Sequence, residues 1–522
     1  MIVFIPSAGQ GTRVKNYSKS LNKTLIKYED KAIISHIIDY YPKEYQFVIG
    51  LGHEGQKLKD YIELAHPGKK IKFYFVSDYT TKNSGLSLTI KEGMKYLNKP
   101  FIFHANDTYI KGKFLELKIN KNKNIIFVNK NKNYKDYRSV TIDSNNRITN
   151  IYDKENNKVS NKVSNKNRYS YVGITQVNDY KIFKKNIGKS HKGLGEFKFI
   201  EEYKNLISAK IVDDWIDFGS ENTLKKIIKK DPYLDKNNEE IFFNNNIVLK
   251  YDDDTNKIKN RIIRSKYLKK IIPKEIKHKN NFMSYKYIKG GLLSQDYSKF
   301  KKFIEWTEKN LWKKIKLKNK EEISFQNDCK EFYKDKTFKR LKMYSNKLMK
   351  LDKIKKINNR EIYGIKFMLN QIKWDKLSKG IAGINHGDLH GSNIVFNNKN
   401  FYLLDWRESF NNNVKYGDIY YDLAKIKHGL IVNHEYVQMD KFEIKTNKNL
   451  ARIDIAKNIK MTDAIKFYDK YLKINNYSFY NVDFLTSLIF INIAPLHQGR
   501  YSEYLFLLGK YKLSECLEIY GK

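Results

Sequence analysis

Between Ile2 and His104, short apolar runs alternate with amphipathic stretches, and that rhythm leaves few folds open. Ile2 to Pro6, Gln46 to Leu51, Ile71 to Val76 and Phe101 to His104 read as buried strands. Lys31 to Tyr41, Gln56 to Ala65 and Ser87 to Leu97 carry helical spacing. Strands that alternate with helices imply an α/β fold with a mostly parallel sheet, whose ligands lie at the carboxyl ends of the strands. Two of those ends carry polar chemistry. The first strand runs into Ser7-Ala8-Gly9-Gln10-Gly11-Thr12-Arg13, a loop whose glycines let backbone N–H groups approach phosphates. The fourth ends in His104-Ala105-Asn106-Asp107. From Ile125 the pattern shifts to short alternating strands: Ile125 to Val128, Ser139 to Asp143, Ile148 to Tyr152 and Tyr169 to Val177. A polar tandem repeat over 157–166 separates the last two and reads as a loop.

A second constellation lies far downstream, in His386-Gly387-Asp388-Leu389-His390-Gly391-Ser392-Asn393, with Asp405-Trp406 following. The spacing predicts a tight loop, a strand, a turn at Asn397 to Asn400, and a second strand ending at the aspartate. Phosphoryl transfer from ATP needs a carboxylate to orient and deprotonate a hydroxyl, and oxygen ligands to hold magnesium on the phosphates. Asp388 suits the first task, and Asn393 and Asp405 the second.

A chain of 522 residues is too long for one core. The expected division is 1–228, a charged linker over 229–240 that carries Pro232, and 241–522. Beyond Gly290 the chain is long, amphipathic and helical, with Trp306, Trp312, Phe332, Tyr344, Trp374, Tyr468 and Tyr471 expected mainly as core packing. The formal charge of +43 is spread through every segment, mixed with Asn, Ile and Tyr, so no basic stripe marks a nucleic-acid partner. It still favours phosphorylated ligands. Two cysteines, Cys329 and Cys516, give no disulfide framework and suit a reducing cytoplasm. The start, Met1 to Ile5, lacks a basic flank and reads as a strand rather than a targeting segment. No membrane span is expected; the nearest apolar run, Leu488 to Leu496, contains Asn492 and Pro495.

The glycine loop, Lys23 ten residues past Arg13, Asp107 and Trp215-Ile216-Asp217-Phe218-Gly219-Ser220 together resemble the sugar-phosphate and phosphocholine nucleotidyltransferases. Asn22 stands where that family has proline. The resemblance covers 1–228 and implies a Rossmann-like sheet. Ala8, Gly9, Gly11, Thr12, Arg13 and Lys23 would bind a nucleoside triphosphate (CTP, UTP or GTP). Arg13 and Lys23 would be catalytic, and Asp107 and Asp217 would hold Mg2+. Asn83 to Leu88 would face the base, Tyr171 to Ile174 the sugar, and Gly195-Glu196-Phe197 would precede the next helix. The downstream motif resembles the aminoglycoside phosphotransferase and choline kinase family, with a protein-kinase-like two-lobed fold. There Asp388 would be the catalytic base, Asn393 and Asp405 would hold Mg2+, Lys250 would hold ATP phosphates, and Asp422 would be a scaffold residue. No glycine occurs between Gly219 and Gly290, and the helical stretch Ile258 to Leu268 offers no glutamate to pair with Lys250. The combined resemblance implies a cytoplasmic bifunctional enzyme. It would phosphorylate a small sugar or amino alcohol with ATP and couple the product to a nucleotide for surface glycan or lipid synthesis. A choline kinase and phosphocholine cytidylyltransferase making CDP-choline is the alternative within that class. A non-catalytic nucleotide-binding protein is the alternative outside it.

Overall fold

The computed structural model describes residues 1–14, 20–80, 85–112, 123–131, 133–134, 136–154, 167–187, 196–228, 238–398 and 400–521. The tandem repeat over 157–166, Asn83, Ser84 and Gly195 lie outside these described residues. The chain divides into two compact units. The first is Met1–Lys229 with Ile241–Lys250 and Lys279–Ser284; the second is Lys230–Glu240, Tyr251–His278 and Tyr285–Lys522.

The first unit is built on a nine-stranded sheet. Its strands are β1 (Ile2–Ser7), β2 (Gln46–Leu51), β3 (Lys70–Phe75), β4 (Phe101–His104), β5 (Asn124–Asn129), β6 (Ser139–Ile142), β7 (Ile148–Tyr152), β8 (Arg168–Val177) and β9 (Ile207–Ile211). They run in the order β7-β6-β8-β4-β1-β2-β3, with β5 paired to β8 and β9 to β5. β1 is parallel to β2 and β4, and β2 to β3, while β8 runs antiparallel to β4. The sheet is therefore mixed α/β and rich in parallel pairs. Every residue of β1 is buried, as expected of a strand covered on both faces. The helix Ile33–Tyr40 buries Ile33, Ile34, Ile37 and Ile38 along one stripe. It starts two residues later than the sequence periodicity predicts, because Lys31–Ala32 pairs with Lys27–Tyr28 as a hairpin. Aromatic packing of Phe4 with Tyr74, Phe101 and Phe103 fixes the centre of the core.

Ile241–Lys250 and Lys279–Ser284 add to this unit although they follow it in sequence. The Tyr61 ring meets Phe242 at 5.0 Å and Phe282 at 5.9 Å between centroids. Asn244 Nδ2 donates to Ala65 O at 2.7 Å, Phe243 N to Asp30 O at 2.9 Å, and Asn280 Nδ2 to Asp60 Oδ2 at 2.7 Å.

In the second unit the helices Ile419–Ile431, Phe479–Ile493 and Gly499–Tyr520 pack on one another. Over 479–496 the chain is apolar enough, at mean hydropathy 1.4, to pass as a membrane span by composition, yet two-thirds of that stretch is buried within the protein. It is the core helix of this unit, apolar all round because neighbours surround it. The strands Ile394–Asn397 and Asn400–Leu403 form the hairpin that the sequence predicts. The segment beyond Gly290 is not wholly helical: Phe442–Thr446 and Leu450–Ile455 form an antiparallel pair. Ala451, Ile453 and Ile455 are buried at every second residue, a period of two set inside surroundings of period 3.6.

Phe242 is fully buried against Tyr61, so Phe242→Ala is expected to destabilise the first unit by about 3–5 kcal/mol. Amide hydrogen exchange along Gly55–Ala65 should accelerate while Phe479–Ile493 keeps its wild-type protection. Unchanged exchange at Gly55–Ala65 would mean that Phe242 is not part of that core.

Candidate active sites

At the end of β1 the glycine loop turns back. Gly11 adopts φ +64°, and a Cβ there would meet Lys23 Cβ at 3.0 Å, so the turn requires glycine twice over. Arg13 follows in the 3-10 turn Thr12–Val14, and Lys23 opens the turn Lys23–Leu25. Asn22 sets the second turn. It is fully buried, its Oδ1 accepts from Thr24 N at 3.0 Å, and its Nδ2 donates to Ser7 O at 3.1 Å and His53 O at 2.7 Å. One side chain thus ties the ends of two parallel strands to the lysine turn.

Asp107 lies just past β4 and leads into a two-stranded ribbon in which Thr108–Ile110 pairs antiparallel with Trp215–Asp217. Trp215 Nε1 donates to Thr108 Oγ1 at 2.6 Å, and Phe218 N donates to Asp107 O at 2.7 Å. This ribbon brings Asp217 beside Asp107. A Cβ built on Gly219 would lie 2.8 Å from Asp107 Oδ2 and 3.0 Å from Asp217 Oδ1, so the two carboxylates flank one glycine. Below them His104 is locked as a neutral ring: Nε2 donates to Thr108 O at 3.0 Å and Nδ1 accepts from Tyr41 OH at 2.6 Å. Burial lowers that ring to about 4.

The electrostatics are those of an anionic pair that needs a cation. Lys23 Nζ stands 2.7 Å from Asp107 Oδ2. Burial pushes the Asp107 carboxyl up, but Lys23 and Arg13 outweigh it and hold the group below the usual carboxylate range. Asp217 goes the other way, raised by burial and by the charge of Asp107, although Gly219 N and Tyr137 OH donate to it at 2.8 and 2.9 Å. Two carboxylates of this kind offer hard oxygen ligands that fit magnesium. Beside them opens a cavity of about 480 Å³, lined by Ala8, Gly9, Gln10, Arg13, Lys23 and Asp107 and by Tyr79, Thr80, Gly85, Leu86, Leu88 and Thr89. Gly11 and Thr12 belong to the loop but are not among its lining residues. Glu196, in the segment that the family resemblance places before the next helix, is buried, which pushes its carboxyl up to about 7. Tyr137, Tyr79 and Thr80 carry no sequence signal that sets them apart from other residues of the chain.

In the second unit the loop around Asp388 hangs from Asp422. Asp422 Oδ2 accepts from His386 N at 2.8 Å and from Trp312 Nε1 at 3.1 Å, and Oδ1 accepts from Gly387 N at 2.6 Å. With its oxygens spent on the backbone, Asp422 is a scaffold residue. His386 Nε2 donates to Leu404 O at 2.8 Å and Nδ1 accepts from Asp388 N at 3.2 Å, which ties the loop to the hairpin. Gly387 takes φ +84°, and a Cβ there would stand 2.7 Å from Arg407 Cβ. Asn393 Nδ2 donates to Asp388 O at 2.9 Å, and Leu404 N to Asn393 O at 2.8 Å. Asp405 is in the left-handed region at φ +55°. Asp388, Asn393 and Asp405 are thus brought together by one hydrogen-bonded hairpin.

Two cations here escape sequence reading. Lys425 Nζ pairs with Asp388 Oδ1 at 2.7 Å and is nearly inaccessible. Burial opposes ionisation of Asp388, but Lys425 and His390 pull its carboxyl well below the usual range. Arg261, on the helix Thr255–Leu268 that lacks a glutamate, places Nη2 3.6 Å from Asp405 Oδ1. Lys250 is buried on the strand Ile247–Asp252 and belongs to the first unit.

No family profile and no curated protein matches the sequence. Among solved structures, the N-terminal part of the chain is similar to HddC from Yersinia pseudotuberculosis, at 19% identity and TM-score 0.33, over 43% of this chain and 97% of that one. It is similar to CTP:phosphocholine cytidylyltransferase (LicC) from Streptococcus pneumoniae at 13% identity and TM-score 0.33, over 43% and 96%. An apo UDP-glucose pyrophosphorylase matches at 14% identity and TM-score 0.37, over 43% and 96%.

Asn22 has φ −61°, so its backbone already suits proline. Asn22→Pro should therefore keep the turn but lose the two donors that satisfy Ser7 O and His53 O. Each buried carbonyl left without a partner costs about 1–3 kcal/mol. Denaturant unfolding of the variant should show that loss; stability equal to wild type would mean that the asparagine is not a tie.

Proposed function

We propose that the chain carries two successive phosphate chemistries. The first unit transfers a nucleotidyl group from a nucleoside triphosphate to a phosphorylated acceptor, and the second phosphorylates a small hydroxyl compound with ATP. The observation that carries the first assignment is the pair Asp107 and Asp217 flanking Gly219, with Lys23 on Asp107 and the glycine-loop cavity alongside. Support for the second is Asp388 held beside Asn393 and Asp405.

In the first reaction an acceptor phosphate oxygen attacks the α-phosphorus and pyrophosphate leaves. Loop N–H groups around Gly9 and Gly11 receive the triphosphate. Arg13 and Lys23 neutralise the charge that builds on the α-phosphate and the leaving group. Asp107 and Asp217 would hold magnesium, which when bound draws the reacting phosphates together. Tyr171 lies on the strand that the family resemblance gives to the sugar, and Glu196, whose carboxyl interacts with Tyr171, lies beside it.

In the second reaction Asp388 accepts the hydrogen bond of the acceptor hydroxyl and takes its proton as the new P–O bond forms. Asn393 and Asp405 would hold magnesium on the ATP phosphates. His386, Asp422 and Gly387 fix where Asp388 points. The order of the steps follows from chemistry: the kinase makes the phosphate that the transferase needs. Such a pathway belongs in the cytoplasm, where nucleoside triphosphates are available, and the buried, unpaired Cys329 and Cys516 suit that setting.

A pair of substitutions tests both assignments in one protein. Asp107→Asn is expected to lower pyrophosphate release by about 10² to 10³ while ADP formation continues. Asp388→Asn is expected to lower ADP formation by about 10² to 10⁴ while transfer to a pre-phosphorylated acceptor continues. Coupled pyrophosphate and ADP assays on wild type and both variants give the answer. A variant that loses both activities, or neither, removes the corresponding residue from its assigned role.

A further inference from the structure

The floor around Asp388 is crowded with positive charge that the phosphoryl-transfer machinery does not account for. Lys336 Nζ stands 4.0 Å from the centroid of the Phe332 ring and 5.9 Å from that of Tyr421. The Arg407 guanidinium lies 4.9 Å from the centroid of the same Phe332 ring, so two cations meet one aromatic ring. The aliphatic part of Arg407 abuts Gly387, next to Asp388. Lys425, one turn after Tyr421 on the helix Ile419–Ile431, holds Asp388 at 2.7 Å. Arg340, one turn after Lys336 on the helix Lys336–Leu341, is half-buried, and among the described residues its guanidinium makes one side-chain hydrogen bond, to the Met343 sulfur at 3.3 Å.

Two carboxylates face this group. Asp388 is engaged by Lys425, and Glu408 stands 3.8 Å from Arg407 Nη2. Lys425 and Arg407 thus have carboxylate partners, while Lys336 and Arg340 have none among the described residues. Lys336 makes no ion pair or hydrogen bond among the described residues; it rests on rings alone. Burial and the nearby charges of Arg407, Lys425 and Arg340 hold its ammonium well below the ordinary lysine range, the mark of a cation that an anion would relieve. Desolvated like charges close together are costly, and a ligand that supplies negative charge relieves that cost.

We propose that the acceptor phosphorylated in the second unit is itself an anion, a small hydroxyl compound already bearing a phosphate, with that phosphate held by Lys336, Arg340 and Arg407 while its hydroxyl faces Asp388. The proposal rests on the kinase reading of this site. A phosphate carries about −1.5 to −2 at neutral pH and offers several oxygens, so it answers Lys336, Arg340 and Arg407 together better than the single charge of a carboxylate. Arginine offers a bidentate fork to phosphate oxygens and lysine a point charge, so the set suits recognition of a phosphate group. A quaternary amine such as choline would meet these cations as a like charge, and a neutral sugar would leave them uncompensated. In the reaction the acceptor hydroxyl oxygen bonds to the γ-phosphorus, and the bond from that phosphorus to the bridging oxygen breaks. ADP then carries that electron pair away, and the hydroxyl proton passes to Asp388. The product bears two phosphates.

The test uses the full chain. Inorganic phosphate is titrated calorimetrically into wild type, Lys336→Gln and Lys336→Glu, so that any phosphate sites in the first unit contribute equally and cancel. Lys339→Gln, at an exposed position on the same helix, serves as the control. One phosphate site is expected to weaken by about 10- to 100-fold in Lys336→Gln, to vanish in Lys336→Glu, and to persist in the control. ADP formation from MgATP is then followed with a panel of hexoses, hexose monophosphates, the matching uronates, and choline. A hexose monophosphate is expected to be preferred. Lys336→Gln should raise its KM by about 10- to 100-fold and change kcat far less. Circular dichroism of the variants shows whether they are folded, and the milder glutamine variant keeps the result independent of any misfolding caused by the glutamate. Identical phosphate isotherms in wild type and both Lys336 variants overturn the proposal. So does ADP formation with choline, neutral hexoses or uronates in preference to monophosphates, an outcome that leaves the kinase reading standing. Lys336-dependent phosphate binding by a chain that forms no ADP with any member of the panel overturns the acceptor assignment together with the kinase reading.

Discussion

Asp422 accepts the backbone N–H groups of His386 and Gly387, and without that carboxylate the loop around Asp388 would bury two donors with no acceptor. Burial pushes Asp422 up to about 6, yet three hydrogen bonds, one of them from the Trp312 indole, keep it engaged. The left-handed turn at Gly387 follows from this anchor, since both N–H groups point at one side chain. Lys425 sits three residues further along the same helix, on the same face. One helix therefore holds the backbone of the loop and neutralises its acid. Its first turn is anchored in the same way: Asp418 accepts from Tyr420 N, Ile381 N and Tyr333 OH. The helix Ile419–Ile431 thus carries a carboxylate at its N-cap, another in its first turn and a cation beside Asp388.

The first unit solves the same problem with a neutral side chain. Asn22 ties β1 to the segment after β2 through two carbonyls and caps the turn that presents Lys23. A proline would shape the turn but could not donate. The charge is kept for the site itself, where Lys23 pairs with Asp107 and leaves Asp217 as the more easily protonated partner. Two facing carboxylates cannot both be comfortable as anions in a buried place, so the arrangement calls for a cation between them. Lys23 supplies one positive charge from the side of the glycine loop. The ribbon of Thr108–Ile110 with Trp215–Asp217 supplies the geometry, because pairing fixes how far apart two carboxylates more than a hundred residues apart in sequence must stand.

Much of this was legible in the sequence because it lives in periodicity and punctuation. The parallel strands read as continuous apolar runs, and Asp107, Asp217, Asp388 and Asp405 each end a strand or follow it in a loop, where a side chain becomes available for chemistry. What escaped depends on contacts between distant segments. Lys425 and Lys336 are two lysines in a chain with one hundred basic residues, and only the tertiary fold sets Lys425 against Asp388 and Lys336 against Phe332 and Tyr421. Arg261 was hidden by an expectation of the opposite sign: a helix read for a glutamate offers an arginine, and that arginine faces Asp405. The packing of Phe242 and Phe282 on Tyr61 is a long-range event that no window of fifteen residues contains. The pair Phe442–Thr446 and Leu450–Ile455 was masked by the amphipathic helices on either side.

The large positive charge of the chain is therefore a poor guide, and the pairing state of each buried cation is a better one. Lys31 pairs with Asp39, Lys427 with Asp469 and Asp483, and Lys510 with Asp352. These pairs close on themselves and need nothing further. Lys23 pairs with Asp107 at the edge of a cavity, so, on the proposed function, a nucleotide phosphate would exchange for that bond. Among the described residues Lys336 has only aromatic rings for partners. Ring quadrupoles attract a cation but do not cancel its charge, and the neighbouring arginines raise the cost of keeping it there. Selection on overall composition could produce a hundred scattered cations, each near water or near an acid. It gives no reason to gather two of them over one phenylalanine, with Lys425 beside them on Asp388. On the proposal above, the counter-charge for that local excess comes with the molecule whose hydroxyl faces Asp388.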